Sequence, residues 1–175
     1  ICKDSRMRLS SGLRAFISLA VGLFITFSQS HSASVGLLAL GVYGIGLALI
    51  TFAVHFIKQK GIATIEAIPF AIIALIIGVF ALVVPEGDQT EVAAFIALVT
   101  AWGLLSGVLE LYAARKEKMS TRAGRDYLIN AVFALLLGAL FLFTPLDIVS
   151  AVGFFGAYLV ISAVHLGISA ATPAK

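Results

Sequence analysis

Long apolar runs that contain no Asp, Glu, Lys or Arg dominate this chain, among them VGLLALGVYGIGLALITFAVHFI (35–57) and IPFAIIALIIGVFALVV (68–84). Uncharged apolar stretches of roughly 18 residues or more are typical of membrane-spanning helices. Charged residues make up only 12% of the 175 residues, against about a quarter in a soluble domain. The sequence therefore predicts an all-α integral membrane protein with a single domain, residues 1–175.

Six segments are long enough to cross a bilayer, each spanning about 25–35 Å as a helix. They lie near 13–29, 35–57, 63–84, 92–114, 127–144 and 148–170. Because the links between them are short, neighbouring helices are predicted to be antiparallel. The first segment also has the basic, apolar and small-residue zones of a signal peptide. It belongs to the repeat described below, however, and we expect it to be retained.

The basic residues indicate the orientation. In a six-span arrangement all 12 Lys and Arg residues fall on one side, whereas the links SQSHSAS, PEGDQTE and TPLDI contain none. The positive-inside rule then predicts that both termini are cytoplasmic. A basic rim of this kind also attracts anionic lipid head groups, so the bilayer and its anionic lipids are the expected partners.

Small residues recur at fixed distances and indicate an internal repeat. Each odd-numbered span carries a pair of small residues four apart: Ser18 with Gly22, Ala74 with Gly78, and Ala134 with Gly138. The second even-numbered span carries Gly103 and Gly107. Small residues at this spacing allow two helices to approach closely in lipid. These glycines are therefore predicted to be helix-packing positions.

The repeat predicts three helical hairpins, at about 10–60, 62–118 and 122–171, packed as a six-helix bundle. All three run in the same sense, so they are parallel repeats and differ from the inverted repeats of many alternating-access transporters. The even spans carry the corresponding aromatic residues Tyr43, Trp102 and Tyr158. We expect these aromatic side chains to pack against the odd-numbered helices.

The segment AWGLLSGVLELYAARKEK (101–118), with the apolar sequence after the basic link, resembles the HdeD-like acid-resistance membrane proteins. The features that carry the resemblance are Trp102, Gly107, Glu110, Gly138, Pro145, Gly156 and Tyr158. The resemblance covers roughly residues 10–171 and is clearest from Ile65 onward. It implies a six-span protein of the bacterial inner membrane, linked in some members to survival in acid, and it brings no catalytic residues.

Ionisable residues inside a span are costly and are often functional, which makes Glu110 and His165 the candidate site residues. Glu110 precedes Arg115 and Lys116, and pairing with them would lock the inner ends of helices together. Alternatively, Glu110 and His165 could exchange a proton, because histidine changes charge near neutral pH. His165 could instead hydrogen-bond to a carbonyl group of a neighbouring helix.

Two further carboxylates, Glu66 and Asp126, stand at equivalent repeat positions near the starts of the third and fifth spans. A carboxylate is favoured at a helix N-terminus by the helix dipole, so we expect both to cap their helices. The acidic link with Glu86, Asp88 and Glu91 is most simply a solvated face. It lacks the dense alternating spacing of a calcium loop.

No phosphate-binding glycine loop, zinc spacing or nucleophile motif is present in the sequence. We therefore expect no cofactor, no metal, no catalytic activity and no binding of nucleic acid. The leading hypothesis is a stress-response membrane protein that acts by packing in the bilayer and associating with itself or with other membrane proteins. The alternatives are a small channel or transporter for protons or a small solute, and an accessory subunit of a larger membrane complex.

Overall fold

The computed structural model describes residues 2–58 and 63–172, and the side chains of 8–54 and 67–172. Within these ranges the chain is entirely helical. The helices are α1 (Cys2–Phe27), α2 (Ala33–Lys58), α3 (Ala63–Leu82), α4 (Asp88–Lys116), α5 (Arg122–Phe143) and α6 (Ile148–Ala171). The predicted all-α class is thus confirmed for the described residues.

Three helices begin four or more residues earlier than their predicted spans. α1 begins at Cys2 instead of near residue 13, α4 at Asp88 instead of 92, and α5 at Arg122 instead of 127. Hydropathy locates only the apolar part of a helix, whereas backbone hydrogen bonding continues into turns that carry charged side chains. These helices are therefore longer than the apolar segments within them.

Five helices are long and apolar enough to cross a membrane, and this marks the chain as a membrane protein. The described apolar part of α3, Ala67–Leu82, falls short of the 18 residues that the other five reach. The predicted span at 63–84 is present as the helix α3 (Ala63–Leu82).

Side-chain caps define where α5 and α6 begin. Thr121 Oγ1 accepts a hydrogen bond of 3.1 Å from the Gly124 N–H. Asp147 Oδ1 likewise accepts one of 3.1 Å from the Ser150 N–H, while the Ser150 hydroxyl donates to Asp147 Oδ2 at 2.6 Å. Such bonds satisfy backbone donors that have no partner within the helix. They also stabilise the carboxylate form and lower the pKa of Asp147.

The even-numbered helices form the centre of the bundle. The backbones of α2, α4 and α6 approach one another closely, whereas within the described residues no two of α1, α3 and α5 have closely approaching backbones. The most extensive helix contacts join α2 to α3, α4 to α5, and α6 to α1. The closest partners are therefore α2 with α3 and α4 with α5, which belong to successive predicted hairpins, and the first helix with the last.

Two glycine pairs bring helix backbones together along these seams. A Cβ atom on Gly103 would lie 2.5 Å from Gly138 N and 2.7 Å from Ala134 O. A Cβ atom on Gly44 would lie 2.6 Å from Ala74 O and 2.9 Å from Gly78 Cα. A side chain at either position would meet the backbone of the neighbouring helix. The α4–α5 and α2–α3 seams therefore require residues without a side chain.

The remaining predicted packing glycines lie against side chains. A Cβ atom on Gly107 would lie 2.7 Å from Leu135 Cγ, again in the α4–α5 seam. A Cβ atom on Gly22 would lie 2.8 Å from Val160 Cγ2, in the α1–α6 seam. In the α1–α6 contact a glycine therefore packs against valine and leucine side chains. In the α2–α3 and α4–α5 contacts a glycine packs against a glycine.

The two ends of the bundle carry opposite charges. At the basic end, Arg8 Nε donates to Ala170 O at 2.8 Å and Arg122 Nη2 donates to Ser169 O at 3.1 Å. Both bonds reach carbonyl groups in the last turn of α6, where a positive charge complements the helix dipole. At the acidic end, which carries Glu86, Asp88, Glu91 and Asp147, the Ser34 hydroxyl donates to Glu91 Oε2 at 2.7 Å.

Candidate functional site

A buried ion pair between α1 and α4 is the main polar feature of the interior. Arg14 Nη2 donates to Glu110 Oε1 at 2.5 Å, and the two side chains are 16% and 7% exposed. The contact joins residues 96 positions apart in sequence. It therefore ties the first helix to the fourth in the half of the bundle nearer the basic end.

The partner that the structure shows for Glu110 is Arg14, where the sequence suggested Arg115 or Lys116. Those residues follow Glu110 by five and six positions, which turns their side chains about 140° and 240° around the helix axis. Glu110 faces the interior, whereas Arg115 and Lys116 are exposed at the end of α4. The partner instead comes from Arg14, which the sequence placed with the cations of the N-terminal arm.

Arg14 also contacts an aromatic ring. Its guanidinium carbon lies 4.7 Å from the centroid of Phe70 on α3, within the range of a cation–π interaction. The Phe70 ring in turn lies edge-on to Trp102, with 5.6 Å between centroids. One guanidinium group therefore links α1, α3 and α4.

The odd-numbered helices place three equivalent residues in this layer. Arg14, Phe70 and Asn130 each stand eight residues before the glycine of their own span, Gly22, Gly78 and Gly138 respectively. The Asn130 side chain is buried on α5. We name Arg14, Phe70, Asn130 and Glu110 the core polar layer. The common register of the first three was available in the sequence and could have drawn attention to Arg14.

Tyrosines surround the ion pair. Tyr43 on α2, Tyr127 on α5 and Tyr158 on α6 lie near both Arg14 and Glu110. The pair itself comes from α1 and α4, and Phe70 comes from α3. With the three tyrosines, all six helices therefore contribute residues to this region.

Aromatic side chains fill the axis beside this layer. Tyr43 lies edge-on to Trp102 at 5.5 Å and to Phe155 at 6.2 Å between centroids. Phe155 continues the contact to Phe95 at 5.9 Å, and Phe95 to Phe141 at 6.2 Å. The predicted packing of the even-span aromatics against odd helices therefore holds only in part, because these rings chiefly meet one another between α2, α4 and α6.

His165 lies near the basic end and contacts α5. Its Nε2 is 3.3 Å from Asp126 O, to which it donates in the tautomer that protonates this nitrogen. The edge of its ring faces Phe133, with 6.1 Å between centroids. Of the two roles left open by the sequence, this contact matches the hydrogen bond to a neighbouring helix. The hydrogen bond of Glu110 is to Arg14.

The predicted capping role of Asp126 is wrong. Thr121 is the N-cap of α5, so Asp126 lies inside the helix, where it accepts a hydrogen bond of 2.6 Å from the Ser169 hydroxyl. This hydrogen bond from Ser169 to Asp126 therefore links α5 to the end of α6. The equivalent side chain, Glu66, lies outside the described residues.

The two positions that correspond to Glu110 in the other hairpins carry no charge. Thr51 on α2 is buried and its hydroxyl donates to Leu47 O at 2.7 Å, while Leu166 on α6 is buried and apolar. Of the three positions that the sequence repeat aligns, only Glu110 carries a carboxylate. Among the described residues, no group of three or more His, Cys, Asp or Glu side chains could hold a metal ion.

Comparison with protein-family models, with curated proteins and with solved structures finds no match for this chain.

Proposed function

We propose that this chain is a non-enzymatic protein of the bacterial inner membrane that acts by packing in the bilayer and associating with copies of itself or with other membrane proteins. In this proposal its six helices form three parallel hairpins with both termini in the cytoplasm. In this proposal its role is in stress or acid resistance, as the resemblance to HdeD-like proteins implies.

The packed axis is the observation that carries the proposal. Trp102, Phe95, Phe155, Leu40 and Leu159 lie between the inner helices and are all less than 2% exposed. A path for a hydrophilic solute requires polar side chains or water along its length. An axis filled by aromatic and aliphatic side chains favours a structural role over transport.

The outer surface supports action within the bilayer. Large apolar side chains are exposed along the helices, including Phe16 at 70%, Leu49 at 62% and Leu136 at 62%. Surface of this kind is stable against lipid tails or against another apolar helix. It provides the area that association with a second membrane protein would use.

Charge and register support the proposed topology. The described cations of the links and termini, such as Arg8, Lys118 and Arg125, gather at the basic end, which the positive-inside rule assigns to the cytoplasm. The glycine seams Gly44–Gly78 and Gly103–Gly138 join equivalent positions of successive hairpins, as parallel repeats would.

The proposal is tested by chemical crosslinking in native membranes followed by purification in mild detergent. We expect crosslinked species larger than one chain, containing either copies of this chain or defined membrane proteins. Recovery of the uncrosslinked monomer alone, at crosslinker concentrations that capture a known membrane dimer in the same sample, would contradict it.

The buried ion pair favours a second candidate, a path for protons or a small solute through the bundle, because intramembrane carboxylates mark such paths in many proteins. Proteoliposomes carrying a pH gradient separate the two functions. Under the packing proposal, wild type and Glu110→Gln leak protons no faster than empty vesicles. Under the second candidate, wild type dissipates the gradient faster than empty vesicles and Glu110→Gln slows that leak.

A further inference from the structure

The outer surfaces of α4 and α5 carry two matching stripes of exposed side chains. From the basic end toward the middle of the bundle, the α4 stripe consists of Arg115, Tyr112, Val108 and Leu105. In the same direction, the α5 stripe consists of Arg125, Ile129, Val132 and Leu136. Residues three or four apart lie on one face of a helix. Each stripe therefore has one arginine at the basic end, followed by aromatic or aliphatic side chains.

The two arginines lie at the same depth. A Cβ atom on Gly103 of α4 would be 2.5 Å from Gly138 N of α5, so the helices meet at these glycines. From Gly103 to Arg115 is 12 residues along α4, and from Gly138 back to Arg125 is 13 residues along α5. These distances are about 18 and 19.5 Å. Because the helices are antiparallel, both displacements point toward the basic end.

The stripes lie side by side across the α4–α5 contact. Both are exposed and so point away from the buried faces of the two helices, which include Ser106 on α4 and Ala134 on α5. Packed helices have axes about 8–10 Å apart, and contacts through glycine lie at the short end of this range. A single ligand on the outer surface can therefore contact side chains from both stripes.

Arg115 and Arg125 differ from the arginines that are engaged in hydrogen bonds. Arg14 is paired with Glu110, and Arg8 donates to Ala170 O. Neither Arg115 nor Arg125 is paired with a carboxylate in the part of the chain that the structure describes. The guanidinium group has five N–H donors in a planar arrangement that matches the oxygens of a phosphate group. The two arginines are therefore suited to an anionic ligand that carries phosphate.

The side chains deeper in the bilayer indicate the source of the phosphate. Tyr112 is 61% exposed and begins less than one turn below Arg115, at the level where tyrosine is enriched in membrane proteins. Val108 and Leu136, 57% and 62% exposed, continue the apolar surface toward the middle of the bundle. A soluble phosphate would contact only the arginines, whereas a phospholipid would also cover the apolar side chains with its acyl chains.

We propose that the outer surface of α4 and α5 binds an anionic phospholipid from the leaflet at the basic end. Arg115 and Arg125 hold the phosphate, and the acyl chains lie along the two stripes. Two cations without a paired carboxylate favour a head group of net negative charge over a zwitterionic one. The site requires only that the protein lies in a bilayer, so it does not depend on the proposed association with other proteins.

The proposal is tested by native mass spectrometry of the delipidated protein in a non-ionic detergent. The protein is titrated with phosphatidylglycerol or with phosphatidylcholine of the same acyl chains, and the dissociation constant of the first bound lipid is measured. We expect the unaltered protein to bind phosphatidylglycerol at least about fivefold more tightly. Equal binding of the two lipids would overturn the proposal, and this comparison does not depend on whether a variant folds.

Arginine variants test the position of the site. Arg115→Gln and Arg125→Gln should each weaken the binding of phosphatidylglycerol about fivefold, and the double variant about 25-fold. The matched control is Arg8→Gln, which removes an exposed cation at the same end but from α1, with α6 between α1 and α5. It should weaken binding less than about twofold, because exposed charges more than about 10 Å away are largely screened. An equal effect of Arg8→Gln and Arg125→Gln would overturn the proposal, since the whole basic end would then attract the lipid.

A soluble competitor tests whether the ligand is a lipid. Glycerol phosphate carries the phosphate group without acyl chains, and we expect it not to displace phosphatidylglycerol at equal concentration. Displacement by glycerol phosphate at that concentration would overturn the assignment, because the apolar stripes would then contribute nothing to binding.

Discussion

Removing the carboxylate of Glu110 is expected to destabilise the bundle strongly, because it leaves the Arg14 guanidinium without its partner. Only 16% of the Arg14 side chain is exposed, and its terminal nitrogen is 2.5 Å from Glu110 Oε1. Breaking a buried ion pair by removing one member costs about 3–5 kcal/mol. The expected loss for Glu110→Leu is near the lower end, about 3 kcal/mol, because Arg14 keeps its contact with Phe70.

The double variant Arg14→Leu/Glu110→Leu distinguishes the ion pair from simple loss of packing. Replacing a buried pair by apolar residues of similar volume is often neutral or stabilising. We therefore expect Arg14→Leu alone to cost about 3–5 kcal/mol and the double variant to cost much less than the sum of the single changes. If the double variant costs no more than Arg14→Leu alone, the coupling energy between the two positions is at least about 3 kcal/mol in magnitude.

The free energy of unfolding is measured by titrating the protein from mild detergent into sodium dodecyl sulfate and following helix content and Trp102 fluorescence. Glu86→Leu is the matched control, because it makes the same chemical change at an exposed position of the acidic end and should alter stability by no more than about 0.5 kcal/mol. Additive single changes, with a coupling energy near zero, would refute the assignment of the pair as a structural clamp.

Two further predictions concern the seams and the caps. Gly103→Ala should destabilise the protein by about 1–3 kcal/mol in the same titration, because its Cβ would meet the backbone of Gly138. The control Gly153→Ala should be near neutral, because nothing lies within 4 Å of a Cβ atom at that position. Equal effects of the two substitutions would contradict the close approach of α4 and α5. Asp147→Ala should lower the thermal stability in detergent at neutral pH, because the Ser150 bonds depress the pKa of the folded-state carboxyl. Since the folded pKa is the lower one, this stabilisation is present above the ordinary aspartate pKa and is lost as the pH falls through the depressed value; a difference from wild type that stays constant with pH would contradict it.

The helices and their approximate limits were accessible from sequence because each apolar run is set by the thickness of a bilayer. The packing glycines were accessible because a fixed spacing relates Gly22, Gly78 and Gly138. The helices against which these glycines pack were harder to predict from the sequence. The glycine seams join α2 to α3 and α4 to α5, so the close contacts lie between hairpins, which a linear repeat does not reveal.

The partner of Glu110 was missed for a physical reason. Arg14 follows Arg6 and Arg8 in sequence, and a cation near others at a helix end is most simply read as part of a membrane rim. Its burial depends on the depth to which α1 enters the bundle and on its position opposite α4. Asn130 was overlooked likewise, because a single amide in an apolar span shows no pattern by itself.

The most direct test of the six-crossing arrangement is the side of the membrane on which single introduced cysteines are labelled by an impermeant thiol reagent. In a chain with Cys2→Ser, which removes the only native thiol, the cysteines replace Ser30, Gln89 and Ser120, all exposed between or at the ends of helices. Six crossings predict that Ser30→Cys and Gln89→Cys are labelled from one side and Ser120→Cys from the other. Labelling of Ser30→Cys and Gln89→Cys from opposite sides would show that only one of α2 and α3 crosses the membrane, and would contradict the six-crossing arrangement.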